Sequence, residues 1–257
     1  MADRTTRATR ARWCVVLGVV ACLGLAPATS RAGGPSDLEI LQRADRARGN
    51  LSGISWDVKI VSNDHGFREQ DFYVRAREFD VLAQTTFPPR YKGSKILMVN
   101  KNMMFSSPNI SKPVPISQRQ KLQGLAAYGD IPATNYASDY RSRRLPPEHV
   151  DGELCWVFDL TAKDKKRSTY DRVRYWVSQS RFVGIMAEFY TVSGMCLKKA
   201  RMTFDNTVDV DGQPQAFISQ IDFKDKLRPK LMTTMSFSSP SIKPIPAYVF
   251  NPNLMSR

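Results

Sequence analysis

Histidine is nearly absent. His65 and His149 are the only two in 257 residues, so a His-rich metal site or a His-based proton relay has almost nothing to be built from. Cysteine is scarce too: Cys14 and Cys22 lie close to the N-terminus, which leaves Cys155 and Cys196 for the body of the chain. There is no G-x-S-x-G elbow, glycine-rich phosphate loop, EF-hand loop or paired-cysteine metal motif. Neither histidine sits in the context of a serine hydrolase. The close carboxylates, Asp209 with Asp211 and Asp164 with Asp171, fall at turns and read as turn chemistry. These gaps argue against an enzyme and call for no cofactor. Nothing resembles a zinc finger, a KH loop or an RNP strand, so no nucleic-acid partner is expected.

The first 32 residues read as an address. Arg4, Arg7, Arg10 and Arg12 precede an uncharged, mostly apolar run from Trp13 to Leu25, followed by Pro27 and by Ser30-Arg31-Ala32. That order is a secretory signal peptide with cleavage after Ala32. A membrane span needs about 20 apolar residues, more than this run holds, and no later stretch approaches that length. No two arginines adjoin in this N-terminal basic region, which disfavours the twin-arginine route. Val19-Val20-Ala21-Cys22 also fits a loose lipobox, so a lipoprotein anchored through Cys22 is the alternative. With cleavage after Ala32 the mature domain is residues 33–257.

Charge is lopsided. The chain carries a formal +14, which becomes +10 once residues 1–32 are removed. Outside the cytosol such an excess favours polyanions such as an anionic membrane surface. The densest basic run, Lys163 to Arg167, is equally readable as a solvated hairpin tip. Cys155 and Cys196 could close a loop of about 41 residues, adding on the order of 4 kcal/mol, or could remain packed thiols.

Ser36-Asp37-Leu38-Glu39 is a capping box, and Gly49 supplies a left-handed stop, so residues 36–48 are predicted helical. Leu38, Leu41 and Ala44 form its apolar stripe, flanked by Ile40 and Ala47, with Asp45 among the charges placed elsewhere. Beyond Gly49 the hydrophobic period changes to two. Ile54, Trp56, Val58 and Ile60 pair across the 63–66 turn with Phe72, Val74 and Ala76. Further strands are expected at 79–87, 95–100 and 102–106. Ser117 to Ala127 has helical spacing through Leu122, Leu125 and Ala126. Strands then follow at 154–160, 173–177, 185–189, 200–204, 217–223 and 231–237, and an extended tail from Pro240 wraps the surface. His149 falls in a Pro-flanked loop.

Ten or so strands in one antiparallel sheet must curl, close or split. One side of nearly every strand carries large apolar groups. Trp56, Val58, Phe72, Val74, Met98, Trp156, Phe158, Tyr175, Phe189, Met202, Phe204, Phe223 and Met235 are the candidates for the concave face, with Leu122 and Leu125 under a lid. Such a face is either a filled core or a cavity for an apolar ligand. Nine mature methionines lean toward an adaptable surface.

From residue 36 onward the chain resembles the periplasmic outer-membrane lipoprotein-sorting family, the proteins with a LolA-like domain. The resemblance is carried by Pro89-Arg90, Lys92-Gly93, Asn102-Met103, Ile116-Ser117, Arg119-Gln120, Gly129-Asp130, Thr134-Asn135-Tyr136 and Asp139-Tyr140. Asp151-Gly152, Leu160 to Lys163, Tyr170-Asp171 and Ala187 to Tyr190 extend it. The chain departs at Met104-Phe105-Ser106, where the family has a Trp after Asn-Met. The resemblance implies a mainly β fold: a single curled antiparallel sheet forming an unclosed β-barrel of about eleven strands with a helical lid. It implies a periplasmic carrier that binds the acyl chains of a lipid or lipoprotein in an apolar cavity, for transport to or from the outer membrane. An inner-membrane lipid transporter is its expected partner. Arg90 and Lys92 would meet a head group or hold the lid, or else form structural salt bridges to Asp130 or Asp139. The alternative is a non-carrier interaction module or accessory subunit of a lipid-exporting transporter.

Overall fold

The computed structural model describes residues 34–255, apart from residues 65, 67 and 132–134. The expected signal peptide with Cys22, and His65 and Thr134, lie outside the described residues.

Helix α1 (Asp37–Arg46) starts where the capping box places it: Ser36 Oγ accepts the Glu39 N–H at 3.2 Å. Gly49 turns the chain at φ +106°. The Trp56 ring lies 3.0 Å from where a Cβ at Gly49 would stand, so both backbone angle and space demand glycine. The buried face is Ile40, Leu41, Ala44 and Asp45, continued by Ala47. Leu38, assigned to that stripe from spacing, is 54% exposed, and Asp45, placed outside it, is fully buried. The stripe is rotated because the helix is covered by the chain near residue 137, which needs Asp45 as an acceptor.

Thirteen strands form one antiparallel sheet. Its first six are β1 (Ile54–Ser62), β2 (Arg68–Arg77), β3 (Asp80–Phe87), β4 (Lys95–Val99), β5 (Asn102–Ser106) and β6 (Val114–Ile116). After β7 (Lys121–Gln123) and β8 (Ala126–Ala127), which pair with each other, come helix α2 (Tyr136–Asp139), β9 (Tyr140–Val150), β10 (Glu153–Ala162), β11 (Arg172–Ser178), β12 (Gly184–Tyr190) and β13 (Cys196–Thr203). A separate hairpin of β14 (Asn206–Val210) and β15 (Gln213–Phe217) precedes β16 (Gln220–Asp225) and β17 (Met232–Ile242). The sheet order is β6-β5-β4-β3-β2-β1-β17-β16-β13-β12-β11-β10-β9, so β1 and β17 adjoin while β6 and β9 end the sheet unpaired with each other. This is the unclosed antiparallel barrel that the sequence reading expected.

The expected inward residues line up across strands. Phe158, Tyr175, Ala187, Ala200 and Phe223 are successive register partners from β10 to β16. Ile60, Met235, Ile221 and Met202 form a second row. The two alanines at the middle of the first row leave depth there for a covering layer.

Several expectations need correction. Residues 117–127 are not helical. Gly124 (φ +54°) is pressed against Ser62 and Thr233, whose hydroxyls occupy the space a Cβ would need. The chain there folds back as the β7–β8 hairpin, with the Leu125 N–H and carbonyl bonded to Thr233 and Lys198, so the intrahelical ladder is absent. The strand predicted over 217–223 is divided between β15 and β16. Leu154 is 41% exposed while Cys155 is buried. Residues 140–150, with His149, form the edge strand β9, where Pro146 and Pro147 lie at a bulge opposite Trp156. Arginines and prolines on an edge discourage further strand pairing. Beyond β17 the tail packs Ile245, Phe250 and Met255 on the outer face, against Leu82 and Leu97.

Cys155 and Cys196 are free thiols. Their strands are three steps apart in the sheet, about 14 Å at the usual strand spacing, beyond the roughly 7 Å reach of a disulfide. Alkylation of unfolded, unreduced protein is therefore expected to modify both. A peptide cross-linked through the two would contradict this arrangement.

Candidate functional site

The concave face is covered by a strap, residues 117–131 and 135–139, which carries β7, β8 and α2 between the last residues of β6 and the start of β9. At its ends the strap is held by charge. Arg119 makes a two-pronged pair with Asp171, both bonds 2.9 Å, and its Nε donates to Ser168 O at 2.9 Å. That arginine holds the Asp171 carboxyl below its ordinary range. Gln118 donates to Lys101 O at 3.2 Å, and Lys101 pairs with Asp139 at 2.5 Å. In the middle, Gln123 donates to Ile60 O at 2.9 Å and to Arg68 O at 3.0 Å. The Leu125 N–H donates to Thr233 Oγ1 at 2.9 Å, and Thr233 donates to Ser62 Oγ at 3.0 Å.

The deepest attachment is Lys198. It lies on β13 in phase with Ala200 and Met202, so its side chain enters the apolar interior. Its ammonium stands 4.0 Å from the Phe223 ring centre, 5.0 Å from Tyr170 and 5.2 Å from Phe189. It donates to Leu125 O at 2.6 Å and pairs with Asp130 Oδ2 at 3.0 Å, both side chains being more than nine-tenths buried. Burial pulls the Lys198 pKa down, and Asp130 opposes that pull. Asp130 also accepts the Ala127 N–H at 2.9 Å and the Tyr170 hydroxyl at 2.8 Å. Tyr140 in turn donates to Tyr170 O at 3.0 Å. Burial raises the Tyr170 pKa well above the ordinary phenol value, so the phenol remains a donor.

Helix α1 contributes a second buried acid. Asp45 Oδ2 accepts the Ala137 N–H at 2.9 Å and ties α1 to α2. Its other oxygen has no hydrogen-bond partner among the described residues. Burial pushes the Asp45 pKa up to about 7, against the lowering pull of the backbone N–H groups and Arg48.

Of the residues expected on the concave face, Trp56, Val58, Phe72, Val74, Phe158, Tyr175, Phe189, Met202, Phe204, Phe223 and Met235 are all buried in one cluster. Met98, Leu122, Leu125 and Trp156 pack half-buried against it. They touch one another instead of enclosing open volume. A space of about 60 Å³ lies beneath the strap, bordered by Arg48, Met98, Lys101, Asp130, Tyr136, Asp139, Tyr140 and Tyr170. It would hold a few waters, whereas ligand pockets span roughly 300–1,000 Å³. Met98 alone of the expected lining residues borders it. Arg90 and Lys92 are exposed. The salt bridges considered for them are not made: Asp130 pairs with Lys198, and Asp139 pairs with Lys101. Arg90 lies with Leu122, Tyr91 and Lys121 along an open groove of about 740 Å³.

Lys198 and Ser62 escaped the sequence reading, and Thr233 entered it only as a strand residue in phase with Leu231 and Met235. Their signal was strand parity: each follows the inward phase of Ala200, of Met235 and of Ile60. Arg119, Asp130, Tyr170 and Asp171 were visible as motif residues, but their partners were not.

A curled, unclosed sheet with two helices and a strap over its concave face defines the class of LolA-like open barrels. A LolA superfamily protein of Nitrosomonas europaea superposes with a TM-score of 0.75 at 29% identity, covering 85% of this chain and 98% of that one. A putative outer-membrane lipoprotein-sorting protein domain from Vibrio parahaemolyticus gives 0.72 at 18% identity, covering 86% and 98%. A DUF1329 family protein of Desulfovibrio piger gives 0.69 at 17%, covering 83% and 95%. A family described only as an uncharacterized protein matches residues 78–257. No match was found among curated proteins. The chain belongs to that uncharacterized family, and its fold is that of the LolA superfamily and lipoprotein-sorting structures it resembles.

Two outcomes follow from the latch. Lys198→Met strands a buried carboxylate and should cost about 3–5 kcal/mol in urea unfolding, while adding Asp130→Asn should return most of it. Equal stability of the single variant and the wild type would deny the pair its role. Asp45 holds its proton more tightly folded than unfolded, so its contribution to stability is lost as pH rises from about 4 to about 7. Asp45→Asn should flatten the profile in that window, and an unchanged slope would contradict the assignment.

Proposed function

We propose that this protein is a periplasmic carrier that shields the acyl chains of a lipid or lipoprotein during transfer to or from the outer membrane. The observation that carries this reading is the manner of covering. A broad apolar face is closed by a strap whose polar attachments to Lys198, Thr233 and Asp171 act beside the apolar contacts of Leu122, Leu125, Ile131 and Tyr136. Polar contacts can be exchanged for water as the strap lifts. An acyl chain would then take the place of Leu122, Leu125 and the neighbouring strap residues against Phe189, Phe223 and Met235. About ten buried methylenes contribute roughly 8 kcal/mol, more than the roughly 3–5 kcal/mol of breaking the buried ion pair. The groove holding Arg90, with Lys92 close by in sequence, is the proposed place of the head group. The carrier works by binding and release, with no catalytic step.

The relatives support this direction by name, one being a LolA superfamily protein and another a putative lipoprotein-sorting domain. Export through residues 1–32 gives the periplasmic location, with anchoring through Cys22 as the alternative. An inner-membrane lipid transporter is the proposed protein partner. The filled interior favours one rival reading, a module that docks to such a transporter without carrying lipid.

Uptake of a fluorescent fatty acid by delipidated protein decides between them. The carrier reading expects saturable binding, and native mass spectrometry should retain one or a few acyl chains per protein. Thr233→Val removes the acceptor of the Leu125 N–H, a loss of about 1–3 kcal/mol, and should speed uptake about tenfold. No uptake by either protein, together with a stable lipid-free complex with a transporter, would establish the rival.

A further inference from the structure

The antiparallel order gathers alternate strand connections at one end of the barrel, the end at which Leu125 is latched to Lys198 and Thr233. Two hairpin loops adjoin there. In the β12–β13 loop Val192 is 71% exposed, and Met195 and Leu197 are exposed beside it. In the β16–β17 loop Leu227 is also 71% exposed. The Lys226 N–H donates to Leu197 O at 3.1 Å, which joins the loops into one surface. Asn63 ties the second loop to the neighbouring turn, donating to Lys230 O at 2.7 Å and accepting from the Met232 N–H at 2.9 Å.

Both tips are built to hold their shape. Asp225 Oδ1 accepts the N–H groups of Leu227 and Arg228, each at 2.8 Å, and its other oxygen pairs with Arg228 at 3.2 Å. The Thr191 N–H donates to Met195 O at 2.9 Å across the first loop, and Gly194 turns it at φ +84°. Leu227 and Val192 are thus projected into water by ordered backbone, an arrangement that water disfavours.

The exposed charge about Leu227 is basic. Lys226, Arg228 and Lys230 are exposed about Leu227. The acids nearby are already engaged, Asp225 by Arg228 and Glu188 by Lys199 at 3.0 Å.

We propose that this rim docks on an anionic lipid bilayer, placing Val192 and Leu227 in the interface and Lys226, Arg228 and Lys230 at the lipid phosphates. Apolar tips supply depth, and each cation near such a surface adds attraction. The same contact brings the latched end of the strap to the membrane. Docking stands on the rim alone and does not require an acyl chain inside the barrel.

The test is flotation of the mature protein with vesicles of phosphatidylcholine, with and without phosphatidylglycerol. Wild type should float with the anionic vesicles and poorly with phosphatidylcholine alone. Val192→Asp with Leu227→Asp should weaken anionic binding at least about tenfold. Lys226→Gln with Lys230→Gln should weaken it about thirtyfold at low salt. A Leu227→Trp variant should gain blue-shifted emission on the anionic vesicles relative to wild type, a readout that stands even if the aspartate variant folds poorly. Fatty-acid uptake in solution should be unchanged in the aspartate variant, which separates failure of docking from failure of the carrier reading. Flotation unaffected by either pair of substitutions, equal binding to both vesicle types, or unshifted emission from the Leu227→Trp variant would overturn the proposal. So would capture of a protein partner by this rim without vesicle binding.

Discussion

An ammonium group inside an apolar barrel must be answered by a fixed anion and by acceptors, or it will not stay there. Lys198 imposes that constraint here. Its strand points it at the rings of Phe189 and Phe223, and no acidic side chain of the sheet is paired with it among the described residues. Its anion, Asp130, and one of its acceptors, the Leu125 carbonyl, both come from the strap. The sheet and its cover are therefore incomplete without each other. The path of residues 117–131 follows from that need, with Thr233 and the Arg119–Asp171 pair fixing the rest of the course.

This division of labour separates two kinds of energy. The sheet is held by register and by apolar rows such as Phe158, Tyr175, Ala187, Ala200 and Phe223. The strap sets Leu122, Leu125, Tyr128, Ile131 and Tyr136 into or against the core, and is held in addition by bonds of definite geometry. Apolar burial is non-directional and hard to undo piecemeal, whereas a network of hydrogen bonds can open as a unit when water enters. At the opposite end the barrel is stopped by the β14–β15 hairpin and the C-terminal end of α1, where Phe217 meets Trp56 edge-on and the Ile218 N–H donates to Ala47 O. The proposed opening therefore falls at the strap end, where the exposed tips of the two joined hairpins also lie.

Much of the sheet was legible because period-two alternation survives wherever one face of a strand is buried. Trp56 to Ile60, Val173 to Val177 and Leu231 to Phe237 illustrate it. The capping box at Ser36 and the left-handed Gly49 marked the helix equally well. The strap was misread for a physical reason. Leu122, Leu125 and Ala126 have helical spacing, but Gly124 is pinned between Ser62 and Thr233, and its neighbours bond to the sheet. Tertiary hydrogen bonds override local pattern, and no local pattern announces them. Lys198 could have been found by carrying the parity of Ala200 and Met202 back one more step. Asp45 could not, because its burial depends on where the chain at residue 137 returns. The motif residues Arg90 and Lys92 drew attention through resemblance, while the cations bound to Asp130 and Asp139 were Lys198 and Lys101.

The central claim is that the strap is a removable cover over an acyl-binding face. Hydrogen–deuterium exchange of the delipidated protein, with and without saturating fatty acid, tests it most directly. The account predicts faster exchange across residues 121–131 when the fatty acid is bound, with β1, β11 and β17 unchanged. Identical protection of the strap in both conditions, with the fatty acid bound elsewhere or not at all, would contradict it.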